Sequence, residues 1–476
     1  MSHQASADGR GPTQRLEASH AEHRSVWPYA VVILLGFWLV TSPFTFGYLV
    51  SEVAPAPLGS HISPRLRIDG MIVSDLLSGL SLIVLAGLCL GPPRAALRWA
   101  ICLVGVWLNA APLVFWAPSP VAYLNDTLTG ILVIAFVVLV PGSFHAEIRA
   151  SRERLIPPGW SYNPSCWPQR SVMIALAFAG WLVSRYLAAY QLGYLSHLVD
   201  PFFGAGSETV VTSNVSAAWP VSDAGLGAFA YTLEMLMGFM GGQARWRTMP
   251  WLASLFGLFV IPIAIFHVAL VISQPLVVNG WCTSCLLAAL LMLPLIPLTI
   301  DEVIAAAQFV GGARARGVPA WQAFWLGDPP RHDVAEPSVV TLSATPRRPA
   351  SLAHLATDAV RGLSVPWTLA VAAAFGVWLL FAPWVFASSG LAETSSIVSG
   401  TLIVAVAVTT MAEPLRVGRF VLTAIGIWLI VSQWTIRGHT SGAIMNLVFV
   451  GTLLVLLSLP RGMVREHFGS WDRYVM

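Results

Sequence analysis

The residues best suited to chemistry in this sequence are two cysteines separated by two residues, Cys282 and Cys285. They open an apolar segment directly after Asn279, whose side chain can cap a helix. Backbone N–H groups at a helix N-terminus favour the thiolate, which is the form that exchanges with disulfides. The same spacing also fits half of a zinc site or two inert apolar cysteines. Because no second cysteine pair or His-x-x-x-His motif accompanies it, we favour a redox pair and predict no metal site.

The composition indicates that this pair lies in a membrane protein. Of the 476 residues, 56% are apolar and 10% are charged, whereas an average soluble domain has about 25% charged residues. The apolar residues form blocks of about twenty, long enough to cross a ~30 Å hydrocarbon core as helices. The net charge of +3 is small and spread over short loops, so we expect no nucleic-acid partner. The sequence therefore predicts an all-α polytopic membrane protein.

We predict about twelve transmembrane helices, forming a central four-helix bundle between two four-helix repeat units. The predicted spans are residues 27–50, 70–91, 95–116, 120–142, 171–193, 223–241, 250–274, 281–300, 367–387, 392–411, 419–436 and 440–459. The three units and the two polar linkers between them are, in order, 27–142, 143–170, 171–310, 311–366 and 367–460. Residues 1–26 and 461–476 are predicted tails, and the first is predicted to be disordered because it is polar and lacks an apolar face.

The distribution of arginine predicts how the chain crosses the membrane. Arginines cluster in the loops on one side of the predicted helices, with Arg65, Arg67 and Arg437 as exceptions. Positive charge near the ends of spans marks the cytoplasmic side, so we predict that both termini and both linkers are cytoplasmic. The cysteine pair then lies at the outer interface, where disulfides persist. We expect an integral protein of a bacterial inner membrane.

A short motif recurs four times in the two outer units. Glycine, any residue, tryptophan and leucine stand together at 36–39, 105–108, 376–379 and 426–429. Proline follows five residues after the tryptophan in the first three copies, and Gln433 takes its place in the fourth. A second glycine marks each following span, at Gly79, Gly130, Gly400 and Gly451. Glycine permits close helix approach in lipid, and tryptophan and proline are typical of helix ends at the interface.

These outer units resemble the SPW repeat family, which is named for a Ser-Pro-Trp signature. Ser42-Pro43-Phe44 and Ala382-Pro383-Trp384 each match that signature with one substitution. The resemblance implies helical hairpins, two before the central unit and two after it.

The central unit, 171–310, resembles the vitamin K epoxide reductase family. The matching segments, in family order, are Asp200–Phe203, Val210–Ser213, Pro220–Gly227 and Asn279–Cys285. The resemblance implies a four-helix bundle that binds a quinone beside the cysteine pair. It also implies that two electrons pass between the thiols and that quinone.

The resemblance assigns roles to four residues. Cys285 is implied to face the quinone, and Cys282 to exchange with a dithiol outside the bundle. Ser213 corresponds to a loop Ser or Thr that supports the site by hydrogen bonding. Asp223 stands where the family usually has an asparagine that bonds a quinone carbonyl, and a carboxyl group can donate that bond only when it is protonated. Asp223 fits equally well as the N-cap of the helix that begins there.

The outer loop departs from the family pattern. Members that relay electrons internally have two more cysteines there, one of them six residues before the loop serine. In this chain that position is Ser207, and residues 194–222 contain no cysteine. The aromatic residue often found one turn after the cysteine pair is Ala289 here. Either a separate thioredoxin-like protein reaches Cys282 directly, or the full activity has been lost.

Ionisable residues inside predicted spans are costly in lipid and therefore informative. Arg185 and Glu234 lie at similar depths on two neighbouring spans, which favours an ion pair within the bundle over a proton route. His267 lies deep in the seventh span, where we expect it to satisfy a neighbouring helix.

Two functions of different classes remain open. The first is a membrane thiol–quinone oxidoreductase in which Cys282 and Cys285 pass electrons from a thioredoxin-like dithiol protein to a quinone of unspecified type. The second is a non-catalytic membrane scaffold whose degenerate reductase-like domain binds a quinone or lipid. A transporter fits less well, because the repeats flank an unrelated unit instead of forming two matching halves. We favour the enzyme because the cysteine pair opens a helix at the outer interface.

Overall fold

The computed structural model of the chain describes residues 27–48, 53, 58–59, 62–91, 95–139, 155–328, 352–438 and 440–475. Regular structure in these residues is helical, apart from two isolated bridges, which confirms the all-α class. Eleven helices among them are long and apolar enough to cross a membrane. The remaining predicted span, 223–241, is a helix of 17 residues, slightly shorter than the ~20 that a full crossing needs. The predicted tail 1–26 lies outside the described residues.

The helices fall into three groups along the chain, and two short helices, at 320–326 and 352–359, lie inside the predicted linker 311–366. The first unit contains α1 (Trp27–Thr45), α2 (Pro64–Cys89), α3 (Ala95–Val114) and α4 (Pro120–Leu139). The central part contains α5 (Trp167–Gln191), α6 (Gly206–Val211), α7 (Asn214–Ala217), α8 (Asp223–Phe239), α9 (Arg245–Thr248), α10 (Pro250–Ser273), α11 (Thr283–Met292), α12 (Leu295–Ala315), α13 (Ala320–Leu326) and α14 (Leu352–Ala359). The last part contains α15 (Trp367–Val385), α16 (Leu391–Thr409), α17 (Arg419–Thr435), α18 (Ser441–Ser458) and α19 (Asp472–Val475).

Glycine pairs hold the two helices of each repeat hairpin together. The pairs are Gly36 with Gly79, Gly105 with Gly130, Gly376 with Gly400, and Gly426 with Gly451. A Cβ atom built on any of these glycines would lie 2.6 to 3.0 Å from the carbonyl oxygen of its partner. A side chain would therefore push the helices apart, and this confirms the prediction that the repeat glycines permit close approach.

The repeat tryptophans join the two hairpins within each outer unit. Each indole N–H donates, over 2.7 to 3.1 Å, to a side chain five residues before the second glycine of the other hairpin. The four bonds run from Trp38 to Asn125, Trp107 to Ser74, Trp378 to Asn446, and Trp428 to Ser395. These residues are thus more than interfacial anchors, because they close each unit into a four-helix bundle with a repeated, two-fold pattern.

The central bundle is built from α5, α8, α10 and the consecutive helices α11 and α12. Helix α5 packs along α8, and α10 packs along α12. Their shared core is apolar and includes Tyr231, Phe256 and Met292. The chain breaks between α11 and α12 at Pro294, as expected for a proline that cannot continue the preceding helix. We call the end of the molecule that holds Cys282 the cysteine end.

At the opposite end, the segments predicted as linkers and tail are partly ordered. Helix α5 begins at Trp167, inside the predicted linker, and Trp160 packs edge-on against Phe468 of the predicted tail. Tyr162 donates to the buried carboxylate of Asp301. Aromatic and polar side chains of the predicted linker and tail therefore cover this end of the bundle. The sequence does not predict this role, because their partners are distant along the chain.

Buried arginines reinforce the same end. Arg245 forms a buried salt bridge with Glu302, and Arg170 donates to the backbone carbonyls of Gly238 and Met240. These carbonyls end α8, where the last turn of a helix lacks intrahelical donors. Arg245 also donates to the carbonyls of Met237 and Met240, so both arginines cap α8. The membrane orientation that the arginines indicate stays a prediction.

Candidate active site

Cys282 and Cys285 lie at the start of α11, where the structure joins them as a disulfide. Cys282 occupies the N-cap position, with its Sγ accepting from the backbone N–H of Cys285 at 3.0 Å. Asn279 is not the cap that the sequence predicts. It adopts the left-handed conformation with φ 54° and ends the π-turn Gln274–Val278, a conformation that asparagine tolerates better than most residues.

The side chain of Gln274 holds the turn that delivers the cysteines. Its Oε1 accepts from the backbone N–H of Cys282 at 2.9 Å, and its backbone carbonyl accepts from Gly280 at 3.1 Å. Gln274 is almost fully buried, so both bonds are shielded from water. This residue fixes the start of α11 relative to the end of α10.

Asp200 clamps the loop of residues 194–222 onto the cysteine pair. Its carboxylate accepts from the hydroxyl and the backbone N–H of Thr283, which lies between the two cysteines. The same carboxylate accepts from the hydroxyl of Ser207 at 2.7 Å and from loop backbone N–H groups. Partial burial raises the pKa of Asp200, but the hydrogen bonds from Thr283 and Ser207 outweigh this effect and hold the pKa well below its ordinary value.

The clamp covers Cys282 completely. The hydroxyl of Ser207 lies 3.4 Å from the Sγ of Cys282, and both residues have no exposed surface. A Cβ on Gly206 would lie 2.1 Å from the backbone oxygen of Trp281, so only glycine permits the loop to approach this closely. Cys285 is less buried and faces a cavity on the other side of the disulfide.

That cavity lies between α5, α8, α10 and α11 and has a volume of about 240 Å³. Cys285, Asp223 and Ser213 all line it, so the structure brings three of the four predicted site residues around one space. Its walls are mainly apolar, with Leu187 and Leu270 among them. An apolar space with a few polar groups at its edges is typical of a site for a small organic ligand.

Asp223 belongs to a network of buried amides and hydroxyls at the mouth of this cavity. Its carboxylate accepts from Nε2 of Gln191 and from the hydroxyl of Ser216, both at 2.6 Å. Ser222 is the N-cap of α8, with its hydroxyl oxygen accepting from Gly225, so the interpretation of Asp223 as that cap is wrong. Asp223 instead fixes the loop against α5, with one face toward the cavity.

The side chain of Ser213 makes a local hydrogen bond within the loop. Its hydroxyl donates to the backbone carbonyl of Val210 at 2.7 Å, which closes the turn between α6 and α7. The side chain lines the cavity from this turn.

His267 is a further polar residue in the cavity wall. Its Nδ1 bonds the carbonyl of Ile263 in its own helix at 2.9 Å, not a neighbouring helix as expected. Because a carbonyl only accepts, Nδ1 carries the hydrogen, and Nε2 of the neutral ring is left as an acceptor. The ring packs edge-on against Tyr231, whose hydroxyl donates to Ala288 of α11 at 3.0 Å.

The expected ion pair between Arg185 and Glu234 is absent. The Arg185 guanidinium lies over the rings of Trp181 and Tyr123, which supply a cation–π partner at the bundle surface. Both carboxyl oxygens of Glu234 are buried without a hydrogen-bond partner in the described part of the chain. Equal depth along two helices does not ensure that two side chains point toward each other.

Each outer unit touches one wall of the site. In the first unit, Trp116 donates its indole N–H to the carbonyl of Pro220, three residues before Asp223. On the other side, Trp281 packs among Phe203 of the loop and Phe381 and Trp384 of α15, with ring centroids 6.1 to 6.2 Å apart. The Ala-Pro-Trp copy of the repeat signature therefore contacts the residue directly before Cys282.

Sequence reasoning missed Asp200, Gln191 and Gln274 as parts of the site. Asp200 had a signal, because it opens one of the segments that carry the family resemblance. The two glutamines had none, since they lie at the ends of apolar helices where a polar residue is unremarkable. Within the described residues, no group of three or more His, Cys, Asp or Glu side chains is arranged to hold a metal ion.

Comparison with known proteins separates the chain into the same three parts. Neither the curated proteins nor the solved structures contain a match to it. The model of the vitamin K epoxide reductase family matches residues 171–300, and the SPW repeat domain model matches residues 26–140 and 366–460. Together with the eleven apolar helices, these matches indicate an integral membrane protein with a redox-type domain. The chain therefore contains a vitamin K epoxide reductase family domain flanked on both sides by SPW repeat domains.

Proposed function

We propose that the protein is a membrane thiol–quinone oxidoreductase in which Cys282 and Cys285 carry electrons from an external dithiol protein to a quinone. The observation that carries this proposal is the cavity of about 240 Å³ that has Cys285 in its wall. This volume is close to the ~300–1,000 Å³ range of ligand sites and suits a ring headgroup, whereas a long apolar tail would extend outside it.

The residues present fit a quinone by their chemistry. Apolar side chains of α5 and α10 would contact the ring, and the polar atoms of Asp223, Ser213 and His267 would meet its oxygens. The ring nitrogen Nε2 of neutral His267 accepts a hydrogen bond from a hydroxyl, and the protonated ring donates one. The site can therefore satisfy oxygens that begin as acceptors and end as hydroxyls.

The exchange balances without any further redox group. When the reduced pair forms its disulfide, two S–H bonds break, one S–S bond forms, and two electrons and two protons leave the cysteines. A quinone bound in the cavity would accept both electrons and both protons. The pair is reduced again when a thiolate of the external dithiol attacks the disulfide and its second thiol resolves the mixed disulfide.

The roles of the two cysteines follow from their surroundings. Cys285 borders the cavity, so we assign it to the quinone. Cys282 is buried beneath Ser207 of the loop, so attack on it by a thioredoxin-like partner requires the Asp200 clamp to open. We propose that this exchange occurs on the outer face of a bacterial inner membrane, with both termini in the cytoplasm, as the arginine distribution predicts.

Steady-state quinone reduction by the purified full-length protein tests the proposal. With a small dithiol as electron donor, which needs no protein partner, wild type should reduce a short-chain quinone, and Cys282→Ser and Cys285→Ser should each abolish this activity. Cys166→Ser is the matched control and should keep this activity. Cys166 is the N-cap of α5, whereas the residues of α5 that line the cavity, Ser184 and Leu187, lie near the other end of that helix. Equal rates in wild type and in both cysteine variants would refute the oxidoreductase.

Two observations favour the second candidate, a quinone- or lipid-binding scaffold without catalysis. Cys282 has no exposed surface, and residues 194–222 offer no cysteine to relay electrons to it. In that case a quinone would bind to wild type and to Cys285→Ser with similar affinity, and neither protein would turn it over.

A further inference from the structure

The first repeat unit contains a pair of fully buried acids, Asp75 on α2 and Asp126 on α4. Both lie four residues before the second glycine of their hairpin, so the two-fold pattern of the unit brings equivalent positions together. Ser42 and Asn125 link the two acids: the hydroxyl of Ser42 donates to Asp75 and accepts from the amide of Asn125, which also donates to Asp126. The two carboxyl groups also interact with each other directly. The pair lies in the half of the unit nearer the cysteine end and lines no part of the cavity described above.

The surroundings of the pair are polar and neutral. The hydroxyl of Ser42 donates to Asp75 at 3.0 Å, and the amide of Asn125 donates to Asp126 at 3.4 Å. Each carboxyl group keeps one buried oxygen without a partner in the described part of the chain. Neither acid forms a salt bridge within the described residues.

A third group points to a ligand at this pair. The side chain of Tyr48, which follows α1 and belongs to neither acid-bearing helix, is fully buried. Among the described residues its hydroxyl forms no hydrogen bond, and it interacts electrostatically with both carboxyl groups. Three buried oxygen-bearing side chains thus lie close together, and each keeps a polar atom without a partner among the described residues.

Two adjacent carboxylates without a counter-ion cannot both stay charged in a low-dielectric interior. We propose that Asp75 and Asp126 form a proton-binding site in which the two carboxyl groups share one proton. The protonated acid donates a hydrogen bond to the ionised one. This bond uses the carboxyl oxygens that have no other partner among the described residues. The pair keeps a single negative charge, and the hydroxyl of Tyr48 is available to donate to it.

The second repeat unit indicates that these acids are not required by the repeat architecture. The equivalent positions there are Ser396 and Leu447, and the glycine contacts and tryptophan bonds are the same. A buried acid pair costs stability in lipid, so its presence in one unit alone is best explained by what it binds.

Infrared spectroscopy of the full chain in lipid nanodiscs, with isotopically labelled aspartate, tests the site. At neutral pH, wild type should show a protonated aspartate absorption that shifts in deuterated buffer and that is lost from Asp75→Asn/Asp126→Asn. Asp69→Asn is the matched control, because Asp69 is exposed on the same helix, and it should leave the absorption unchanged. The readout does not depend on quinone turnover, so it succeeds or fails separately from the proposed function.

Two results would overturn the proposal. Identical aspartate absorption in wild type and in the double variant would show that the pair holds no proton. Loss of the absorption on adding sodium chloride but not choline chloride would show a sodium site instead. If the double variant does not fold, the single variants Asp75→Asn and Asp126→Asn are measured instead. A protonated aspartate absorption with the wild-type frequency and intensity in both of them would also exclude a shared proton.

Discussion

At the scale of residues, the site depends on side chains that hold backbone segments in place around the disulfide. Asp200, Gln274 and Gln191 each accept or donate several bonds across elements that are distant in sequence. Removing one partner from a buried hydrogen bond costs about 1–3 kcal/mol, because the remaining group loses water without compensation. The geometry of the cysteine pair therefore depends on residues that transfer no electrons.

Asp200→Asn should destabilise the protein at neutral pH and lose its effect in acid. The pKa of Asp200 in the folded protein lies below its value in the unfolded chain, so its contribution to stability is fully present above the unfolded pKa, which is about 4. The contribution is lost as pH falls from there through the folded pKa. Thermal unfolding of wild type and variant from pH 7 to pH 3 should show a gap in melting temperature that narrows below pH ~4. A gap that is constant or widens in acid would contradict the clamp.

Asp223→Asn should improve the affinity for a quinone. The carboxylate now accepts from Gln191 and Ser216 and offers no donor to the cavity when ionised, whereas an amide adds one. One additional hydrogen bond of about 0.5–1.5 kcal/mol corresponds to a quinone KM lower by roughly two- to tenfold. Asp328→Asn, on the far side of the molecule, should not change KM. An increase in KM for Asp223→Asn would show that the carboxylate itself is required.

At the scale of elements, the sequence predicted most of the helices and few of the contacts between their ends. Blocks of about twenty apolar residues and the spacing of glycine and tryptophan were enough to find the helices and the hairpins, because both patterns are local. The clamp by Asp200 and the packing of Trp160 on Phe468 could not be predicted, because each depends on a partner far along the chain. The same limit explains the wrong pairing of Arg185 with Glu234, since residue depth was known and rotation of the helices was not.

Gly79→Ala should destabilise the first hairpin, because its Cβ would lie 2.6 Å from the carbonyl oxygen of Gly36. Overpacking of this kind costs about 1–3 kcal/mol. Gly87→Ala, on the same helix, is the matched control, because nothing lies within 4 Å of its Cβ. Thermal unfolding in detergent should show a lower melting temperature for Gly79→Ala and an unchanged or higher one for Gly87→Ala. Equal melting temperatures would argue against close packing of the hairpin.

At the scale of the whole molecule, the two repeat units hold the redox domain from both sides. The first unit contacts the segment that leads to Asp223 through Trp116, and the second contacts Trp281 through Phe381 and Trp384. The segments that lead to Asp223 and to Cys282 are thus each contacted by a different SPW domain. The flanking repeats therefore pack against the two segments that carry the candidate site.

Trp384→Ala should expose the cysteine pair. An aromatic pair contributes about 0.5–1.5 kcal/mol. Loss of the contact between Trp384 and Trp281 should therefore increase, by roughly two- to tenfold, the fraction of molecules in which Trp281 leaves its packed position. After reduction, the rate of maleimide labelling at Cys282 should rise by the same factor. Trp434→Ala is the control, because Trp434 is exposed and makes no ring contact with Trp281. An unchanged labelling rate in Trp384→Ala would mean that the second repeat unit does not restrain the site.

Thiol trapping in a single turnover tests most directly whether the cysteine pair gives its electrons to a quinone. The full-length protein is reduced, freed of reductant, mixed with one equivalent of a short-chain quinone, and alkylated at successive times. We predict that Cys282 and Cys285 become protected as a disulfide at the rate at which hydroquinone appears, with one hydroquinone formed per pair, and that Cys285→Ser forms none. Cysteines that remain fully alkylated while the quinone stays oxidised would contradict the assignment of this domain as a thiol–quinone oxidoreductase.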